Sequence, residues 1–111
     1  MATNCTGPTN AVREYGTDRF SAQTVTLTQN AQPPYKFGAN AKRRSILIFN
    51  ATAAGGPTIL IGPTGPSAQV ASSSFPLEPQ QSVTMFTVQD IYVFNPNVGT
   101  ATVAFIEESD Q

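Results

Sequence analysis

Five short apolar runs constrain this chain more than any other feature. They are Arg44–Asn50, Thr58–Gly62, Ser82–Phe86, Asp90–Asn95 and Thr100–Glu107. Each is the length of a β-strand and is bounded by Gly, Pro, Asn or Asp. Such runs at regular spacing, with no helical period anywhere, specify an all-β domain of sandwich or barrel type. Several are apolar at consecutive positions, so both faces of those strands need cover. A domain of 111 residues has few places to hide a second apolar face except against another chain.

The rest of the chain fits around these runs. Residues 1–20 show no period, carry Gly7, Pro8 and Gly16, and read as an extended arm. In 21–29 Val25 and Leu27 alternate with Thr24, Thr26 and Thr28, the pattern of a half-buried strand. Pro33-Pro34 ends it, and Tyr35–Phe37 reads as a short edge strand. The Ala53–Pro57 turn suggests that 44–50 and 58–62 form a hairpin. The two Gly-Pro steps in 62–67 read as a rigid loop. Residues 69–75 read as a weak strand, held to a sheet edge by Pro76 and Pro79. Asn95–Gly99 is the turn between the last two strands. The predicted fold is a single antiparallel β-sandwich or jelly-roll-like barrel over 21–111, with an extended N-terminal arm over 1–20.

Composition narrows the function. Charged residues make up 12% and hydrophobic ones 40%, too apolar for disorder and poor in charge for a free monomer. The net charge of −1 provides no field for nucleic acid, and no run reaches the roughly 20 apolar residues of a membrane helix. The start lacks the regions of a signal peptide, so synthesis in a cytoplasm is expected. All six basic residues lie at or before Arg44, and five of the seven acids at or after Glu78. Chance is one reading of that split. Complementary contact between the front of one subunit and the back of another is the other.

Catalytic chemistry is missing. The chain has no histidine and one cysteine, Cys5, which removes the usual triads and nearly all zinc sites. No glycine-rich phosphate loop occurs. Glu107 and Glu108 are neighbours on a strand, so they point to opposite faces and read as a solvated terminus. The expected catalytic, cofactor and metal residues are therefore none, and the chain is expected not to be an enzyme. Lys42-Arg43-Arg44 reads as a basic guard on a strand edge. Tyr35, Phe37 and Phe75 lie near loops and are the candidate ligand-facing aromatics, Tyr35 and Phe37 foremost.

The strand order resembles that of small β-sandwich structural proteins of tailed bacteriophage virions. Arg44–Asn50 and Ile59–Gly62 are similar to that group's first two strands. Leu77–Ser82 is similar to its loop, with Gln80 where the group has glycine. Asp90–Val93 and Thr100–Glu107 are similar to its last two strands. The resemblance covers about residues 43–108. It implies a non-enzymatic protein that decorates and stabilises a capsid, binding between major capsid protein subunits on the capsid surface. A tail or head-fibre module recognising host glycan is the alternative. A homotrimer is expected, matched to the three-fold joints of a capsid lattice. Arg13, Arg19, Lys42, Arg43, Arg44, Tyr92 and Phe94 are its expected interface residues, without nucleic acid or membrane partners.

Overall fold

A computed structural model describes residues 18–110. Its strands are β1 (Asp18–Leu27), β2 (Tyr35–Phe37), β3 (Arg43–Asn50), β4 (Ile59–Gly62), β5 (Phe75–Leu77), β6 (Ser82–Met85), β7 (Ile91–Phe94) and β8 (Ala101–Asp110). They form two four-stranded antiparallel sheets, ordered β1-β8-β3-β6 and β2-β7-β4-β5. The pairs β4–β5, β3–β6, β2–β7 and β1–β8 are nested one inside the next. The chain is thus one long hairpin rolled into a barrel, the jelly-roll arrangement.

Rolling explains one departure from the sequence reading. β3 and β4 are consecutive but lie in different sheets, so 44–50 and 58–62 are not a hairpin. The Asn95–Gly99 turn likewise carries the chain from one sheet to the other. Only β4 and β5 follow each other within one sheet, and what joins them is not a weak strand over 69–75. Gly65–Ala68 is a helical turn, α1, and Ala71–Ser73 is a 3-10 turn. Thr64 caps α1: its hydroxyl accepts from Ser67 N at 3.1 Å. The Ser67 hydroxyl accepts in return from Thr64 N at 3.2 Å, a reciprocal cap. Four residues are too few to show a period. β5 does hold Pro76 at a sheet edge, where its missing N–H costs no ladder bond.

Alternation places the core between the sheets. Leu27, Ile46, Ile48, Val103 and Phe105 point inward from the first sheet, and Ile59, Ile61, Ile91 and Val93 from the second. The expected surplus of apolar faces is smaller than the sequence suggests. On β3, Leu47 and Phe49 are only half-buried, but on β7 Phe94 is 5% exposed. Tyr92 and Phe94 share the outer face of the second sheet, and α1 with Gly65 packs beside the Tyr92 ring.

One end of the barrel is closed by two asparagines at the points where the chain changes sheets. Asn50 Nδ2 donates to Pro57 O at 3.1 Å and Leu77 O at 2.9 Å, and its Oδ1 accepts from Thr52 N. Asn95 Nδ2 donates to Leu27 O at 3.0 Å and Gly99 O at 2.8 Å, and its Oδ1 accepts from Asn97 N. Each amide bonds its own backbone two residues on, ending the strand, and ties that end to the opposite sheet. Gln80 closes the adjoining turn with φ of +69°. Gln81 N donates to Glu78 O at 3.1 Å, and Pro79 stands ahead of the positive φ, as a type II turn requires. The residue replacing glycine thus adopts the backbone conformation a glycine would favour.

Candidate functional site

The opposite end of the barrel is built around Arg43. Strand parity alone would turn Arg43 outward with Leu47 and Phe49. A bulge intervenes: Ser45 pairs with Glu108 while Arg43 pairs with Ser109. The extra residue re-aims Arg43 inward, toward Glu107, whose partner Ile46 also faces the core. The Arg43 side chain is 0% exposed. Its Nε donates to Glu107 Oε2 at 2.7 Å. Nη1 donates to Thr87 O and Gln89 O, both at 3.0 Å, and Nη2 to Gly38 O at 2.6 Å. The guanidinium carbon lies 5.3 Å from the centre of the Phe37 ring. One side chain thereby joins four strands or loops.

Those loops form the rim of a pocket of about 540 Å³. Ile61, Val83, Met85 and Ile91 make its wall, from β4, β6 and β7. These are core side chains seen from the open end. Ser72, Ser73, Ser74 and Phe75 form one lip, and Thr87, Gln89 and Asp90 the other. The second lip is fixed by Arg43 and by loop 38–42. Ala39 N donates to Asp90 Oδ1 at 2.7 Å, and Asn40 N to Val88 O at 2.9 Å. Gly62 allows the helical turn to close over the end of β4: a Cβ there would meet Ala68 N at 2.8 Å.

Of the candidate residues singled out from the sequence, Phe75 alone lines this pocket. Tyr35 and Phe37 pack on the core rather than facing a ligand. Phe37 stacks on Phe105 with ring centres 4.8 Å apart, and Tyr35 lies 5.8 Å from the same ring. The Tyr35 hydroxyl accepts from Gln23 Nε2. Arg43 is buried and donates four hydrogen bonds, so it is no edge guard. Glu107 is its counter-ion rather than a solvated terminus, while Glu108 on the opposite face is exposed as expected. Lys42 is exposed, and Arg44 lies 3.8 Å from Asp110 at the surface. Arg19, one residue from the start of β1 at Asp18, pairs through its backbone with Ser109. Arg13, Cys5 and the rest of the 1–17 segment lie outside the described residues. The pocket was missed because its walls look like ordinary strand interior. Its only sequence mark is a serine run, Ser72–Ser74, against an aromatic.

No family model and no curated protein matches the sequence. Solved structures do match in fold. A cupin domain from an XRE-family transcriptional regulator of Enterobacter cloacae is similar over 79% of each chain, with a TM-score of 0.58 and 9% identity. A protein from Neisseria meningitidis is similar over 79% of this chain and 72% of its own, with a TM-score of 0.50 and 10% identity. The Fe(II) form of HppE, crystallised with an alternative substrate, is similar at a TM-score of 0.50 and 13% identity, over 78% of this chain and 41% of its own.

The barrel is cupin-like.

That finding overturns the expected kinship with phage virion proteins. Capsid decoration, the glycan-reading fibre alternative, the major capsid protein as partner and the capsid-matched homotrimer fall with it. An eight-stranded roll of two Greek keys serves capsid proteins, lectins and cupins alike. Strand order therefore cannot tell them apart. Nor does a cupin-like barrel by itself assign catalysis, since the matched folds include a regulator's domain and an Fe(II) protein with a substrate. The iron named for HppE does not fit this chain. The sequence has no histidine, and no three of His, Cys, Asp and Glu group together among the described residues. No helix among the described residues is long and apolar enough to cross a membrane.

Proposed function

We propose that this chain is a non-enzymatic binding module whose cupin-like barrel takes a small, mainly apolar molecule at its open end. The observation that carries the reading is the wall of Ile61, Val83, Met85 and Ile91, reachable through a rim of hydroxyls. An apolar cleft of a few hundred Å³ with a few polar groups at its mouth is the common form of a ligand site. Asp90 is the one carboxylate on the lining among the described residues. It has no histidine, lysine or second carboxylate beside it on that lining, so the pairs that acid–base and nucleophilic catalysis need are missing. One matched barrel is a domain of a transcriptional regulator, so the fold occurs outside proteins crystallised with a substrate.

The test is a series of straight-chain alcohols followed by amide NMR shifts. Each added methylene buried in the wall should tighten binding about fourfold, from about 0.8 kcal/mol per methylene. Shifts should centre on Val83, Met85 and Ile91, and Val83→Trp should abolish them. Chain-length-independent shifts, or shifts that survive Val83→Trp, overturn the reading.

A further inference from the structure

We infer that the ligand of this pocket carries a positive charge: a small alkylammonium, with its chain on the wall and its head at Asp90. This rests on the pocket reading above and assigns the ligand's chemical class.

The argument is one of charge left unmatched at an apolar mouth. Asp90 is the only charged residue on the lining among the described residues. One oxygen, Oδ1, accepts from Ala39 N at 2.7 Å, which fixes the carboxylate in place. The other has no partner among the described residues, and no lysine or arginine pairs with this group. The Arg43 guanidinium is taken up by the carbonyls of Thr87 and Gln89 and matched by Glu107. The rim therefore presents a held anion with room for a cation. Phe75, half exposed on the facing lip, adds a ring face that attracts ammonium. The Ser72 hydroxyl on the same lip has no partner among the described residues and supplies a neutral acceptor for a second N–H. An anionic ligand would find repulsion and no cation on the lining. A neutral alcohol would keep the chain contacts but leave the carboxylate unmatched.

Octylammonium, 1-octanol and octanoate share a chain and differ in the head. Their dissociation constants, measured by NMR titration below micellar concentration, test the inference. Octylammonium should bind about fivefold tighter than 1-octanol, as expected for a partly exposed charge pair, and octanoate weakest. The preference should shrink as salt rises from about 0.05 to 0.5 M. In Asp90→Asn, which can still accept from Ala39 N, the ratio of the two affinities should fall to about one. In Glu108→Gln, which removes the same charge from the outer face of β8, the ratio should stay. Equal affinities for octylammonium and octanol on the native protein overturn the inference while leaving the pocket reading intact. A ratio unmoved by Asp90→Asn does the same. Failure of all three probes to bind overturns both.

Discussion

Replacing Arg43 by methionine should destabilise the barrel by about 4 kcal/mol. The value comes from what the side chain holds. Removing it leaves the Glu107 carboxylate, 14% exposed, without its cation. Breaking a buried pair from one side costs about 3–5 kcal/mol. The carbonyls of Gly38, Thr87 and Gln89 also lose a charged donor. They sit in loops that water can reach, so they add only about 0.5 kcal/mol each. Methionine returns part of that loss by filling the space beside Phe37. Against a total stability of about 5–15 kcal/mol, such a loss is large. Removing both charges in Arg43→Met/Glu107→Leu leaves only the three carbonyls unmet, so the double variant should be about 2 kcal/mol more stable than the single one. Urea unfolding followed by far-ultraviolet circular dichroism measures both, with tyrosine fluorescence as a second probe because the chain has no tryptophan. A single variant that loses less than about 1 kcal/mol, or a double variant less stable than the single, would refute the reasoning.

Two further outcomes concern the closed end. Asn50→Asp keeps the shape but sets an acceptor against the carbonyls of Pro57 and Leu77 at a site with 0% exposure. It should cost about 3 kcal/mol and lower the melting temperature by about 12 °C or more, whereas Asn97→Asp, whose amide bonds Thr58 O at the surface, should shift it by less than about half as much. At Gln80, Gln80→Val should cost about 1–2 kcal/mol, because a β-branched side chain resists positive φ. Gln80→Gly should stay within about 1 kcal/mol of the native protein, trading relief of the backbone for a freer unfolded chain and the lost bond from Gln80 Nε2 to Thr52 O. Chemical denaturation separates these; equal losses at Val and Gly would show that the positive φ is not what matters.

The strands were legible because burial follows alternation. Val25 and Leu27 announce their inward face, and Asn95 to Gly99 announce a turn, since both signals act over a few residues. What escaped was anything set by the sheet rather than the strand. Arg43 sits between two other basic residues and reads as surface, yet a bulge one residue long reverses its direction. Glu107 reads as a charged tail because its partner lies 64 positions away. The hairpin expected from Ala53–Pro57 failed for the same reason: a turn signal says that the chain reverses, not which sheet receives it. Tyr35 and Phe37 looked loop-borne because their strand has only three residues. Their contact with Phe105 depends on two sheets meeting. The pocket is further removed still, since it exists only where two sheet edges diverge.

The place of β8 has a bearing on how this domain comes to be folded. It is the last strand described, yet it lies inside its sheet, between β1 and β3. Until β8 leaves the ribosome, β1 and β3 have nothing to join them. Only when residues 101–110 emerge can that sheet close and Glu107 reach Arg43. Pairing of Asp18 with Asp110 links the far ends of the described chain, and such non-local pairing places folding on the slow, millisecond-to-second side. Until then the apolar faces of β3 and β4 stand uncovered, and it is the nascent chain, more than the finished barrel, that needs protection from aggregation.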